Sequence, residues 1–137
     1  MITKISKSKY QLIEIISLLL AIILSLIIAG EASNWNNILN GWNLWIIFPY
    51  IFFLIISLTA KYQAPSINLS LASCITALFL LLLTLIIYID AFYIHISSTS
   101  SLLFIFVPLY LFVGGPIIFF ITYKVISLIH KRKKYSP

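Results

Sequence analysis

Residues 67–89 read INLSLASCITALFLLLLTLIIYI, an apolar run without one charged side chain. A helix needs about 20 such residues to cross the ~30 Å hydrocarbon core of a bilayer. Strands of a membrane barrel would instead show about 10 residues of alternating polarity, and this run does not alternate. Lipid offers no partner for a backbone N–H or C=O, so only a helix or a closed barrel can span it. The stretch is therefore predicted to be a transmembrane helix. Three more runs of spanning length follow the same reading, at residues 10–29, 42–60 and 102–123, the last with an apolar tail to Ile129.

Composition agrees. The chain has 137 residues, 62% of them hydrophobic and 9% charged. A soluble domain averages about 45–50% apolar and about 25% charged, so a water-soluble globule and a disordered chain are both excluded. One cysteine, Cys74, rules out an intramolecular disulfide and a Cys-rich zinc site. The length suits one domain over residues 1–137, with residues 124–137 as a basic tail.

The connections are short. Residues 31–41 carry Asn34, Asn36, Asn37 and Asn40 and read as a polar loop. Residues 61–65 read as a tight turn, with Ser66 as N-cap of the third span. Residues 97–101 form another polar link. The first span also resembles a signal peptide, with Lys4, Lys7 and Lys9 ahead of it and Gly30 and Ala32 at a small-x-small site. Its full spanning length favours retention, and cleavage within residues 1–32 is the alternative.

Charge sets the orientation. All nine lysines and arginines fall on one side of a four-span arrangement. The opposite loops hold Glu31 and Asp90. Positive-inside bias therefore predicts both termini in the cytoplasm. Trp35, Trp42 and Trp45 cluster at the outer end of span two, where amphipathic rings favour the interface. The basic run after His130 reads as a topology anchor rather than a nucleic-acid site. Beside anionic lipid each such residue contributes about 1 kcal/mol.

Lipid tails are as apolar as leucine, so spans associate through small residues that let backbones approach. Span one carries Ser17, Ala21, Ser25 and Ala29 at four-residue spacing. Span three carries Ser66, Ser70, Ser73, Ala77 and Thr84. These two faces are predicted to meet, with the bulky span two (Phe48, Tyr50, Phe52, Phe53) filling around them. Pro49 is expected to kink span two, and Gly114-Gly115-Pro116 to kink span four near its midpoint.

Chemistry is sparse. The acids are Glu14, Glu31 and Asp90, and the histidines are His95 and His130. Metalloprotease, serine-hydrolase, P-loop and dinucleotide motifs are absent. Neither a metal nor a cofactor is implied. Glu14 lies within about 20° of Ala21 and Ser25 on the helical wheel and so shares the inward face. An ionisable group in a span is a functional candidate by default. Here it lies about one turn inside the boundary, where it reads as an interfacial anchor for Lys9, Lys61 or Lys124. Asp90 and His95 flank an outer loop rich in Tyr and Phe and are candidates for a mutual pair.

The expectation is an all-α integral membrane protein, a compact bundle of four transmembrane helices with both termini cytoplasmic. Candidate functional or packing residues are Glu14, Asp90, His95, Gly114, Gly115 and Pro116. The role expected is non-enzymatic: an interaction, regulatory or immunity-type subunit. It would contact the lipid bilayer and another membrane protein or a second copy of itself. A small oligomeric channel or transporter is the alternative. The Ile-, Lys- and Asn-rich composition points to an AT-rich genome and a bacterial cytoplasmic membrane.

Overall fold

A computed structural model describes residues 2–32, 41–94 and 102–135. Four helices appear in chain order: α1 (Ile2–Ala32), α2 (Gly41–Gln63), α3 (Ile67–Ile89) and α4 (Leu103–Tyr135), with a short π-helical segment, Asp90–Ile94, extending α3. Each of the four contains a stretch long and apolar enough to cross a membrane.

Three contacts between distant residues fix the directions. The Lys7 ammonium donates to the Pro65 carbonyl at 3.1 Å, so α1 begins beside the α2–α3 turn. The Tyr93 hydroxyl donates to the Glu31 carboxylate, so α1 and α3 end together. The Trp45 indole N–H donates to the Ile105 carbonyl at 3.3 Å, so α2 and α4 start together. The helices therefore run up, down, up and down. Around the ring the order is α1, α3, α4, α2, and the diagonal pairs α2/α3 and α1/α4 barely touch. Glu31 and Asp90 thus share one end, while Lys7, Lys9, Lys124 and Lys131 share the other.

The most extensive packing is between α1 and α3. Ser17, Ala21 and Ser25 of α1 are buried, as are Ser70, Ser73 and Ala77 of α3. These are the small faces read from the sequence. Side chains this short let the two parallel backbones close together, which is what holds helices where water supplies no driving force. The aromatics fill the opposite side of the ring. Phe53 of α2 meets Phe119 of α4 edge to face at 5.9 Å, and Phe52 lies 4.3 Å from Phe112. Leu80 of α3 is buried with them. The outer surface is apolar almost throughout, with Leu12, Leu19, Ile23, Ile55, Leu82, Val113 and Phe120 all exposed. Such a surface suits lipid and not water.

Helix limits differ from those read in the sequence. Helix α1 starts at Ile2 rather than residue 10, and α4 continues through the expected tail to Tyr135. Apolar content marks only the part inside lipid. The backbone ladder can continue beyond the apolar run, because outside the lipid the helix needs no apolar side chains to keep its hydrogen bonds. Ser66 does cap α3 as expected, with φ −123° and ψ 151°, its side chain accepting from the Leu69 N–H at 3.2 Å. The kinks expected at Pro49 and Gly114-Gly115-Pro116 fall within helices that stay continuous. Pro49, Pro108 and Pro116 all sit inside continuous α-helix. A proline removes one N–H and crowds one carbonyl, and neighbouring helices in a membrane tolerate that local loss.

Candidate functional site

Glu14 is the buried carboxylate among the described residues. Its carboxylate is 1% exposed and has three partners, one from α3 and two from α2. The Lys61 ammonium donates to Oε2, the Ser57 hydroxyl donates to Oε1, and the Ser73 hydroxyl reaches Oε2 at 3.0 Å. Lys61 and Glu14 form an ion pair, and Lys61 is itself only 7% exposed. Of the three lysines considered as partners, Lys9 and Lys124 are exposed, and Lys61 is the one drawn inward.

Local sequence explains the convergence. Lys61 lies in the last turn of α2, and Ser57 lies four residues earlier on the same face. Ser73 stands on the small face of α3 opposite Glu14. Cys74 is buried beside it. The inward direction of Glu14 was legible on the helical wheel. Its role as an anchor for a lysine is met by Lys61, and three helices close over the carboxylate. Ser57 was missed, although its spacing from Lys61 was the available signal.

A second polar cluster lies further along the bundle. The Tyr50 hydroxyl of α2 is 3.2 Å from Ser25 Oγ of α1 and 2.7 Å from Thr84 Oγ1 of α3. Ser25 and Thr84 also reach the Ala21 and Leu80 carbonyls, each at 2.7 Å. A phenol carries one proton and accepts others, so Tyr50 of α2 links the small faces of α1 and α3. Ser25 lies eleven positions after Glu14 on α1, about 16 Å of helix. Between the clusters lie the buried apolar side chains Leu18, Ala21, Phe53, Ala77 and Leu80, together with Ser17 and Thr76, whose hydroxyls donate back to the Ile13 and Ala72 carbonyls of their own helices. Among the described residues, every buried polar side-chain atom has a hydrogen-bond partner.

The other candidates do not join Glu14. Asp90 is exposed at the far end of the bundle, where its N–H bonds to the Ile86 and Ile87 carbonyls and opens the π-helical segment. His95 lies outside the described residues, so its pairing with Asp90 does too. Nearby, the hydrogen bond to Glu31 holds the Tyr93 hydroxyl above the usual tyrosine range, with desolvation and the carboxylate charge adding to it. Among the described residues no group of three or more His, Cys, Asp or Glu side chains is placed to hold a metal.

Gly114 and Gly115 face different surroundings. Gly115 is buried, and a Cβ there would lie 3.7 Å from both Leu80 and Phe53. Gly114 has nothing within 4 Å of the corresponding position. Gly115→Ala is therefore expected to be accepted, with helix propensity improving by up to about 1 kcal/mol. Gly115→Leu should overpack against Phe53 and Leu80 and cost about 1–3 kcal/mol. Gly114→Leu should leave the stability of the single bundle unchanged. Unfolding in mixed micelles checks all three, and equal losses for Gly114→Leu and Gly115→Leu would contradict this assignment.

No protein-family model matches the chain, and neither a curated protein nor a solved structure shows significant similarity to it.

Proposed function

We propose that the chain is a non-enzymatic membrane subunit of interaction, regulatory or immunity type, working through contacts within the bilayer. The observation that carries this reading is the state of its one buried carboxylate. Glu14 is neutralised by Lys61 and bonded to Ser57 and Ser73, so it holds its own bundle together. The apolar layer of Ala21, Phe53, Ala77 and Leu80 separates it from the Tyr50 cluster. Among the described residues the hydroxyls between the two clusters, Ser17 and Thr76, are bonded back to their own helices, which supports action through the lipid-facing surface rather than along a polar path. Purified protein in liposomes is expected to pass no protons, potassium or chloride above protein-free vesicles. Cross-linking in native membranes is expected to join it to a membrane protein or to itself. Flux without any cross-linked partner would overturn this reading.

The rival is an oligomeric channel or transporter. What favours it is a carboxylate–ammonium pair inside a span, since intramembrane charges commonly mark ion and proton pathways. Flux that is lost in Glu14→Gln, with assembly intact, would establish it.

The membrane we infer is the bacterial cytoplasmic membrane, with both termini in the cytoplasm. Segregation of all nine basic residues to one side supports this orientation. A cysteine at Ser136 in a Cys74→Ser background is expected to resist impermeant thiol reagent in intact cells and react after permeabilisation. Labelling in intact cells would reverse the orientation.

A further inference from the structure

Helix α4 runs past its neighbour α2 at the basic end of the bundle. The Trp45–Ile105 contact sets the register of the two helices. Gln63, which ends α2, stands eighteen positions after Trp45, and the same count from Ile105 reaches Tyr123. Beyond that level α4 continues for twelve residues to Tyr135, about 18 Å. This extension has two sides. Val125, Leu128 and Ile129 are exposed, and they fall within about 100° of one another on the helical wheel. Lys124, His130 and Lys131 are exposed as well and lie on the other side. Arg132, Lys133 and Lys134 follow in the sequence. Among the described residues the side-chain carboxylate at this end is Glu14, and Lys61 already neutralises it.

Depth and charge together select the partner. From Leu103 to Ile129 the helix is about 40 Å long. The hydrocarbon core is ~30 Å thick, and the bilayer with its headgroups is about 40–45 Å. The apolar side of the extension therefore reaches the boundary between acyl chains and headgroups, and its cations stand at the level of the phosphates. A helix with one apolar and one basic side binds such a boundary through both. An aqueous polyanion matches the charge and leaves Val125, Leu128 and Ile129 uncovered. A zwitterionic headgroup carries its own cation beside the phosphate and offers no net charge. An anionic phospholipid matches both sides.

We propose that residues 124–134 of α4 form a binding surface for anionic phospholipid headgroups in the leaflet at the basic end of the bundle. Lys124, Lys131 and the basic residues that follow meet the phosphates, and Val125, Leu128 and Ile129 meet the upper acyl chains. This surface is separate from the protein contacts proposed above and does not depend on them, nor on which side of the membrane the basic end faces.

The test uses the full chain in symmetric vesicles, where both leaflets offer the same lipids. Spin-labelled phosphatidylglycerol and phosphatidylcholine report which lipid the protein holds. Phosphatidylglycerol is expected to be preferred about fivefold at low salt, the effect of one basic residue beside an anionic surface. The preference should fall towards unity in 1 M salt, where charges are screened within about 3 Å. Joint replacement Lys131→Gln, Arg132→Gln, Lys133→Gln and Lys134→Gln should bring it below about twofold. Lys131→Arg with Lys133→Arg and Lys134→Arg should keep it. Depth is read in a Cys74→Ser background: a fluorophore on Leu128→Cys should be shielded from an aqueous quencher, and one on Lys131→Cys should be open to it. A preference near unity in the unaltered chain overturns the proposal, and so does an undiminished preference in the glutamine variant. Equal quenching of the two fluorophores also overturns it. Binding of poly-glutamate or a DNA duplex without lipid preference overturns it and assigns the charge to an aqueous partner.

Discussion

Replacing Lys61 by methionine is expected to lower the unfolding free energy by about 3–5 kcal/mol, the usual result of leaving a buried charge without its partner. The stranded group is Glu14. It is 1% exposed, and its short side chain cannot carry the carboxylate out of the interior. Ser57 and Ser73 still donate to it, but neither neutralises it. The reverse change, Glu14→Gln, should cost less, about 1–3 kcal/mol. Lys61 lies in the last turn of α2, so its four-carbon stem lets the ammonium swing to the headgroups. The double variant should recover most of the loss, because an uncharged pair needs no compensation. Reversible unfolding in mixed micelles measures all three. Additive losses in the double variant would show that the two groups do not act as a pair.

Overpacking the seam between α1 and α3 is expected to have the next largest effect. Ala21 is fully buried in that seam, and so is Ala77. Ala21→Leu should cost about 1–3 kcal/mol by forcing two close backbones apart. Ser73→Leu should cost more than Ala21→Leu, since it adds volume and also removes a donor to Glu14. Leu19→Ala faces outward, with Leu19 52% exposed, and should change stability by less than about 0.5 kcal/mol. An unfolding profile unaltered by Ala21→Leu would contradict a close α1–α3 contact.

Some of the site was already legible. Glu14, Ala21 and Ser25 share a wheel face, and that face does turn inward. Lys61 stood among three possible partners by charge and end of the membrane alone. Distance in sequence says nothing about which of several ammonium groups can reach a carboxylate 47 residues away. Only the way α2 leans on α1 chooses Lys61, and it draws in Ser57 with it. Burial changed the physics accordingly. A solvent-exposed pair contributes about 0–1 kcal/mol, whereas a pair enclosed by three helices makes each partner depend on the other. The glycines divided similarly. Adjacent in sequence, they differ by about 100° on the helix, so one meets Phe53 and Leu80 and the other meets open space.

The sequence by itself determined that this chain is built from four apolar helices, that two of them carry small faces, and that its basic residues segregate to one end. Those are properties of single segments: run length, 3.6-residue periodicity and charge, each acting on the local backbone or on lipid. The tertiary structure alone decided the ring order α1, α3, α4, α2, the choice of Lys61 for Glu14, the bridge from Tyr50 to Ser25 and Thr84, and which glycine lies open. Each of these depends on the distance between atoms far apart in the chain, which is set by how side-chain volumes fit when the helices close. No local pattern records that fit.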